Sequence, residues 1–456
     1  MKVWDKRFES RDSNPKLERF NASIEEDRFL CREEIEASLA YAKALRRAFI
    51  LTQDELEEIE SGLEKVKTRI EQGEDLTGFE DIHSAVELML TREIGETGKK
   101  IHTGRSRNEQ VVVDERLYLK RKIPEIQRLL GEIQKEVIRL AEDNMDAVMP
   151  GYTHLQQAQS VLFSHYVMSL FWPLERAKSR LEDALKRIDA LPLGVGALAG
   201  TTVPIDRDYL AEMLGFGSVS DNSMDTVSDR SFILETLFTL ALLLLDLSRF
   251  AEDFVIFSTK EFGFLKLDES ISTSSSLMPQ KKNPDFFELI RAGAGQIFGY
   301  ISQLFFTMKG LPSTYNKDLQ YDKRPLQKGI EETIQILDVF AFTLKKIKPD
   351  PEKMRAGIGS FLYATDLVDY LVEKEIPFRN AYGSAAEAVR LAEKKRAGLN
   401  ELTLDDLRSI SLKFEADVFS VFDPLQSVKR KKTPGSTHPD RVRDQIAKAK
   451  KLLSHK

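Results

Sequence analysis

The sequence has few of the residues on which cross-linked or metal-bound folds depend. Cys31 is the only cysteine among 456 residues, which excludes an intrachain disulfide framework and a cysteine-based zinc site. Of the six histidines, His154 and His165 would lie about 16 Å apart on one helix, too far to share a metal ion. We therefore expect no metal and a reducing, cytoplasmic location.

Nucleotide-binding motifs are also missing. The sequence has no G-x-x-x-x-G-K-[ST] pattern, and residues 194–196, Gly-Val-Gly, follow a predicted helix where a dinucleotide fingerprint would follow a strand. We expect no cofactor. The net charge of −6 and the sequence pI of about 5.8 argue against a nucleic-acid or membrane-surface partner.

Long hydrophobic runs are short of what a membrane span needs. Residues 236–245 form the most apolar segment, and these 10 uncharged residues fall below the roughly 20 that cross a bilayer. The segment is flanked by Glu235 and Asp246, so we predict a buried helix of a large bundle. The first residues have no apolar stretch typical of a secretory signal, so none is expected.

Helical periodicity dominates what remains, and no run shows strand-like alternation. Apolar residues recur at spacings of three and four over long segments, with Pro124 predicted in the first turn of one helix. The predicted long helices cover residues 126–140, 162–191, 232–257, 286–308 and 330–347. The pattern predicts an all-α fold built on a long-helix bundle.

Composition shifts divide the chain into three predicted helical domains. Residues 1–106 are highly charged and periodic, and residues 107–358 contain the long central helices. Shorter helices follow Pro349 and Pro351, which gives a small C-terminal domain of residues 359–456.

Residues 272–284, Ser-Thr-Ser-Ser-Ser-Leu-Met-Pro-Gln-Lys-Lys-Asn-Pro, are predicted to form a loop that carries a reactive hydroxyl. Small hydroxyl residues favour turns, and the two prolines stop a helix from continuing. Lys281 and Asn283 place a cation and an amide donor close to the serines, which suits a reaction that develops an anion. Composition alone favours a solvated linker.

Three other segments combine polar side chains with helix boundaries. At residues 149–156, Pro-Gly is predicted to end one helix, and Thr153 and His154 to open the next. Residues 102–110 gather Arg105 and Arg107 with polar donors, either as a carboxylate-binding loop or as a capped helix start. Residues 313–323 are polar between two apolar helices and would line a pocket or lie on the surface.

Together these segments resemble the argininosuccinate lyase family, within the superfamily that also contains fumarase, aspartase and adenylosuccinate lyase. Residues 275–284 specify only the superfamily, whereas residues 103–108 and 313–320 point to argininosuccinate. The resemblance implies cleavage of L-argininosuccinate to L-arginine and fumarate, the last step of arginine biosynthesis. It also implies a homotetramer with a 20-helix core and active sites shared between subunits. An adenylosuccinate lyase-like enzyme and a silent crystallin-like protein are the alternatives.

The resemblance also implies roles for individual residues. The catalytic set comprises Ser275, His154, Glu288 and Lys281, with Glu288 hydrogen-bonded to the histidine. Either Ser275 or His154 is the proton-abstracting base. The residues expected to bind substrate are Ser23, Arg107, Asn108, Thr153, Asn283, Tyr315, Gln320 and Lys323.

Five residues depart from the family pattern. Ser274 stands where a glycine normally precedes the serine pair, which restricts positive φ there. Glu109 replaces the usual Asp, Asp5-Lys6 replaces a glycine pair, and Ser231 replaces an expected Asp. None of these removes a residue with an expected chemical role.

Overall fold

A computed structural model describes residues 14–454, and most of them are helical. The α-helices are α1 Pro15–Asn21, α2 Ile24–Asp27, α3 Cys31–Arg47, α4 Gln53–Glu71, α5 Ile82–Ile94, α6 Arg107–Asp143, α7 Phe163–Ile188, α8 Arg207–Met213, α9 Ser223–Ser228, α10 Ser231–Phe257, α11 Asp285–Met308, α12 Lys323–Lys346, α13 Pro351–Ala356, α14 Ala364–Glu373, α15 Phe378–Lys395, α16 Leu404–Ile410, α17 Pro424–Arg430 and α18 Pro439–Ser454. The all-α fold class is confirmed.

The long helices follow the predicted periodicity, with one correction. Helices α6, α7, α10, α11 and α12 are 24 to 37 residues long. Pro124 does not begin a helix, because α6 starts at Arg107 and contains this proline in its interior. The apolar stripe that surrounds Pro124 is buried and holds the helix through it, with Ile123 and Ile126 fully buried.

Two helix starts carry capping boxes that match a sequence pattern, a threonine followed three residues later by an acidic residue. The Thr52 hydroxyl accepts a hydrogen bond from the Glu55 backbone N–H, and the Glu55 side chain returns a bond to Thr52, which completes a capping box for α4. Thr403 and Asp406 do the same for α16. Each arrangement satisfies backbone donors that would otherwise lack a partner at the helix start.

Short strands, which the sequence pattern did not predict, lie between the helices and form two-stranded sheets. The strands are β1 Val148–Thr153, β2 Gln156–Leu162, β3 Ala190–Leu191, β4 Ser218–Val219, β5 Leu265–Leu267, β6 Thr273–Ser274, β7 Lys282–Asn283 and β8 Ile347–Pro349. Strands β1 and β2 form an antiparallel hairpin, and β6 pairs antiparallel with β7. Both pairs carry residues expected at the active site.

The chain divides into two compact units. Unit 1 comprises the described residues up to Arg128, Ala177–Leu242 and Gly293–Gln335. Unit 2 comprises Leu129–Arg176, Leu243–Ala292 and the described residues from Ile336 onward. Each long helix contributes one end to each unit. The three-domain division remains a prediction, and Asp5-Lys6 lie outside the described residues.

A buried cluster of four charges joins three helices within unit 1. The Arg230 Nε atom lies 2.5 Å from Asp322 and 3.2 Å from Glu115, and the Lys323 Nζ atom lies 2.6 Å from Asp322. All four side chains are at most 3% exposed. Glu115 belongs to α6, Arg230 immediately precedes α10, and Lys323 begins α12, so this charge cluster fixes the three helices against each other.

Unit 2 has apolar and aromatic cores. The Phe254 ring contacts the rings of Phe287 and Phe340, with centroids 5.4 and 6.3 Å apart, so that α10, α11 and α12 pack together. A second core lies among α14, α15 and α16, where Leu371, Ala388 and Leu407 are fully buried.

Helix α10 is long and apolar enough to cross a membrane by length and composition alone. Half of its most apolar window is nevertheless buried inside the protein, as expected for a core helix. The prediction of a bundle helix for this segment agrees with that burial.

Replacing Arg230 should test the charge cluster. In Arg230→Met, two buried carboxylates lose their guanidinium partner. We expect the free energy of unfolding, measured in urea, to be about 3–5 kcal/mol lower than in the wild type. Arg187→Met removes an exposed pair with Glu235 and should change stability by less than about 1 kcal/mol. Circular dichroism at fixed protein concentration gives both values, and equal losses would contradict the role of the cluster.

Candidate active site

The two units divide the expected site residues between them. Unit 2 contains Thr153, His154, Ser275, Lys281, Asn283 and Glu288, and unit 1 contains Ser23, Arg107, Asn108, Tyr315, Gln320 and Lys323. The residues with expected chemical roles thus lie in unit 2, together with two of the expected substrate contacts, whereas the other substrate contacts lie in unit 1.

The serine-rich segment of unit 2 contains the predicted loop, and a short ladder that was not predicted closes it. Thr273 pairs with Asn283 and Ser274 with Lys282, which leaves residues 275–281 as the connecting loop. Ser274 is part of strand β6 and is not among the positive-φ residues, so a glycine is not required at this position in this conformation. Leu277 is 84% exposed at the tip of the loop.

Two backbone donors point at the Ser275 hydroxyl. The Oγ atom accepts hydrogen bonds from the N–H groups of Leu277 and Met278, at 3.3 and 3.1 Å. Such bonds stabilise negative charge on the oxygen and therefore favour its ionised form. The Lys281 side chain is exposed on the same loop.

Asn283 lies at the base of this loop. Its Nδ2 atom donates to the Thr273 hydroxyl at 3.4 Å, and that hydroxyl donates to Asp285 in the first turn of α11. These contacts fix the amide across the ladder, at the point where the loop returns to the helix.

The segment around His154 corrects the sequence prediction. Thr153 and His154 do not open a helix, because they end β1 and enter the two-residue turn that leads to β2. His154 and Leu155 have φ angles of 56° and 57°, values that suit the tight turns of hairpins and are strained for residues other than glycine. Thr153 and the His154 imidazole are exposed at the hairpin tip.

Glu288 does not meet His154 in the described chain. The glutamate is exposed in the first turn of α11, and no hydrogen bond or ion pair within residues 14–454 joins it to the imidazole. Their predicted hydrogen bond therefore stays a prediction.

In unit 1, Ser23 is buried and held by Asp27. The Ser23 hydroxyl donates to the Asp27 carboxylate at 2.6 Å, and the other carboxylate oxygen accepts from the Ile82 N–H at 3.0 Å. Burial raises the pKa of Asp27 to about 6. The Ser23 N–H also donates to the Glu80 carbonyl, which joins two segments that are distant in sequence.

The two arginines of the 102–110 segment have different environments. Arg105 is buried, and its guanidinium donates to Ser38 and lies over the Tyr41 ring. Arg107 is less buried, pairs with Asp81 at 3.1 Å and donates to Gln110 at 3.1 Å. Arg105 is thus committed to contacts within the chain, and the role of Arg107 in binding substrate stays a prediction.

Asn108 lies in the first turn of α6. Its Nδ2 atom donates to the Ala197 carbonyl at 3.2 Å, so the amide is oriented by the segment that follows the Gly-Val-Gly run. The side-chain oxygen then remains as the acceptor that a ligand would use.

The third unit 1 segment contributes Tyr315, Gln320 and Lys323. The Gln320 amide donates to the Asn21 carbonyl at 3.3 Å, so Gln320 contacts the segment that contains Ser23. Lys323 belongs to the buried charge cluster, and although burial lowers the pKa of its ammonium, Asp322 and Glu115 raise it overall. Burial raises the pKa of the half-buried Tyr315 phenol.

A buried group of ligand-type side chains lies behind the 105–110 segment. Glu34, His83 and Asp114 approach within 4.8 Å, with the His83 Nδ1 atom 2.8 Å from Glu34. The Gln110 amide donates to both Glu34 oxygens, and the Arg105 guanidinium lies 3.8 Å from one of them, which disfavours a bound cation. The group therefore serves as a hydrogen-bonded support for this segment.

Sequence reasoning missed Asp27 and Glu109 as supporting residues. Ser23 and Asp27 are four residues apart, a spacing that places two side chains on one helix face. Ser106 and Glu109 match the capping-box pattern, three residues apart. Both signals are visible in the sequence.

Comparison with known proteins places these features in context. A family model described as lyase matches residues 9–299, and one described as argininosuccinate lyase C-terminal matches residues 361–429. The argininosuccinate lyase of Carboxydothermus hydrogenoformans is 44% identical over 457 residues and covers 100% of both chains. That of Pelotomaculum thermopropionicum is also 44% identical and covers 99% of each.

Solved structures give the same architecture. A crystal structure of EDDS lyase in complex with formate matches with a TM-score of 0.85 at 28% identity, covering 93% of this chain and 86% of that one. A class II fumarase from Schistosoma mansoni matches with a TM-score of 0.76 at 15% identity, covering 89% of this chain and 91% of that one. The second likeness shows the fold alone.

The raised pKa of Asp27 predicts a specific pH dependence of stability. The folded chain binds this proton more tightly than the unfolded chain, so stability from Asp27 is complete below about pH 4 and is lost as the pH rises through about 6. Relative to the wild type, Asp27→Asn should gain about 3 kcal/mol of unfolding free energy between about pH 4 and pH 7.

Urea unfolding of both proteins across this pH range measures the difference. Asp75→Asn is the control for the sign of the pH dependence. Hydrogen bonds from Thr77 lower the pKa of this exposed carboxyl, so the unfolding free energy of Asp75→Asn relative to the wild type should fall as the pH rises. A difference between Asp27→Asn and wild type that does not change with pH would refute the assignment.

Proposed function

The chain belongs to the argininosuccinate lyase family of the fumarase/aspartase superfamily, and we propose that it cleaves L-argininosuccinate to L-arginine and fumarate at a site formed around the Ser275 loop. The full-length identity to argininosuccinate lyases favours this substrate over adenylosuccinate, the substrate of the nearest alternative enzyme. The product arginine makes this the last step of arginine biosynthesis.

The reaction is a β-elimination. A base removes a proton from the carbon next to a succinyl carboxylate, and the electron pair moves onto the carboxylate oxygens as an aci-carboxylate. The C–N bond then breaks, a general acid protonates the departing guanidinium nitrogen, and fumarate forms. Lys281, Asn283 and the loop backbone N–H groups would stabilise the anion.

The single observation that supports Ser275 as the base is the pair of N–H donors at its hydroxyl oxygen. Serine is a weak base at neutral pH, and hydrogen bonds that favour its ionised form are what this role demands. His154 would then protonate the leaving nitrogen, with Glu288 of another copy holding its imidazole. Within residues 14–454 of one chain, no comparable contact at the His154 imidazole supports the reverse assignment, with His154 as base.

Substrate recognition falls to polar side chains of both units. Arg107, Asn108, Ser23, Gln320, Tyr315 and Lys323 would bind it from unit 1 of one copy, and Thr153 and Asn283 from unit 2 of others. Arg107 and Lys323 supply positive charge for the carboxylates of argininosuccinate.

We propose that the enzyme is a cytoplasmic homotetramer with a 20-helix core. Large apolar side chains remain exposed on the long helices of a single chain, including Phe298, which is 62% exposed on α11. A Cβ built at Gly295 or Gly299 on the same helix meets nothing, so another helix could approach closely there. The exposed hairpin tip and Ser275 loop would complete their sites in neighbouring copies.

Ser275→Ala should reduce the rate of fumarate release at least about a hundredfold, the size of a typical acid–base contribution. The protein should keep its assembly state, because the side chain lies on an exposed loop. Ultraviolet absorbance of fumarate with argininosuccinate as substrate measures the rate. Ser276→Ala is the matched control from the same loop and should stay within about threefold of wild type. Near-normal turnover of Ser275→Ala would exclude the catalytic role of the loop.

Phe298→Glu should disrupt the tetramer, because it places a charge in the apolar surface between long helices. Sedimentation velocity should reveal smaller species, and fumarate release should fall with the loss of shared sites. Phe49→Glu changes a phenylalanine outside the long helices that is even more exposed, at 88%, and it should leave the tetramer intact. A Phe298→Glu protein that sediments as a wild-type tetramer would contradict this surface assignment.

A further inference from the structure

The Glu109 carboxylate makes four short hydrogen bonds to backbone donors. One oxygen accepts from the Gly194, Val195 and Gly196 N–H groups at 2.7, 2.6 and 2.9 Å, and the other from the Ser106 N–H at 2.9 Å. The side chain is fully buried. One carboxylate thus joins the start of α6 to a segment more than 80 residues away.

The Gly-Val-Gly segment is shaped to receive this anion. Gly194 and Gly196 have φ angles of 91° and 65°, and the three successive N–H groups converge on one oxygen, an arrangement that binds anions. A Cβ at residue 196 would lie 2.6 Å from the Gly200 carbonyl oxygen, so glycine is required there. The convergence of these N–H groups on one carboxylate explains why two glycines stand here.

The same contacts determine where the neighbouring residues lie. Asn108 precedes Glu109 and donates to the Ala197 carbonyl, one residue beyond the Gly-Val-Gly segment. The bond from Ser106 closes the other side of the turn. Asn108 is therefore held between two segments that the Glu109 carboxylate fastens together.

We propose that Glu109 is a positioning residue for substrate binding, acting through Asn108. It does not touch the substrate, since its oxygens are occupied by backbone donors, but it fixes the Asn108 amide so that its oxygen faces the ligand. The proposal rests on the proposed function. A neutral amide at residue 109 would turn an N–H group toward backbone donors, and hydrogen bonds that join the start of α6 to residues 194–196 would be lost.

Hydrogen exchange tests the hydrogen bonds between Glu109 and residues 194–196 without any assay of activity. In the full-length enzyme, the amides of residues 194–196 should be protected, and Glu109→Gln should increase their exchange rate at least about tenfold. Glu55→Gln is the matched control, because Glu55 also caps its own helix but contacts no distant backbone, and it should leave these amides unchanged. Unprotected amides in the wild type would overturn the proposal whatever the enzyme's activity.

Steady-state kinetics test the effect on binding. Glu109→Gln should raise KM for argininosuccinate at least about tenfold and leave kcat within about threefold, since binding is impaired more than chemistry. Glu109→Asp keeps the charge with a shorter reach and should recover most of the loss. A variant that only lost folded protein would instead show lower kcat at unchanged KM, which would overturn the positioning role.

A double-mutant cycle identifies the route. If Glu109 acts through Asn108, then Glu109→Gln added to Asn108→Ala should raise KM by less than about threefold further, because the positioned group is already gone. Fully additive increases would show that Glu109 does not act through Asn108. Absence of fumarate release by the wild type would instead refute the proposed function. The exchange measurement would still show whether Glu109 holds residues 194–196.

Discussion

The architecture of unit 1 depends on the buried cluster of Glu115, Arg230, Asp322 and Lys323. Charges without access to water are costly unless each meets an opposite charge at close range, and here the partners come from three different long helices. Helices α6, α10 and α12 can therefore pack in only one register, the one that brings these groups together. Residues 313–322 lead directly into this cluster, so the segment that bears Tyr315 and Gln320 is anchored at its end.

The same principle recurs on a smaller scale beside three of the expected substrate contacts in unit 1. Asp27 accepts from Ser23, Asp81 pairs with Arg107, and Glu109 holds the turn that contains Asn108. All three carboxylates have little or no exposure: those of Asp27 and Asp81 contact the polar side chain directly, whereas that of Glu109 contacts the backbone of its turn. Preorganised polar groups need little rearrangement when a charged ligand binds, which is the basis of their strength in a partly dry site. Buried acidic residues thus hold in place the groups that would face the ligand.

Sequence reasoning recovered what local periodicity encodes. The long helices follow from apolar spacing, and the starts of α4 and α16, at Thr52 and Thr403, match a local capping pattern. The His154 turn was misread as a helix start, because its two left-handed residues, His and Leu, lack the Asn-Gly or Gly signature of such turns. Pro124 was misread because tertiary burial outweighs the local cost of proline. The charge cluster joins residues about a hundred positions apart, a distance at which no spacing rule operates.

The two sets of expected active-site residues differ in how firmly they are held, and this difference bears on assembly. Those of unit 1 are at least partly buried, and most of them contact carboxylates or backbone carbonyls, whereas His154 and Lys281 project from a hairpin tip and a loop into solvent. Exposed groups on strained or irregular backbone have neither the dry surroundings nor the fixed orientation that proton transfer requires. Such groups acquire both only when another surface covers them. The exposed apolar faces of the long helices provide a reason for copies of the chain to meet, and catalysis would then be a consequence of assembly.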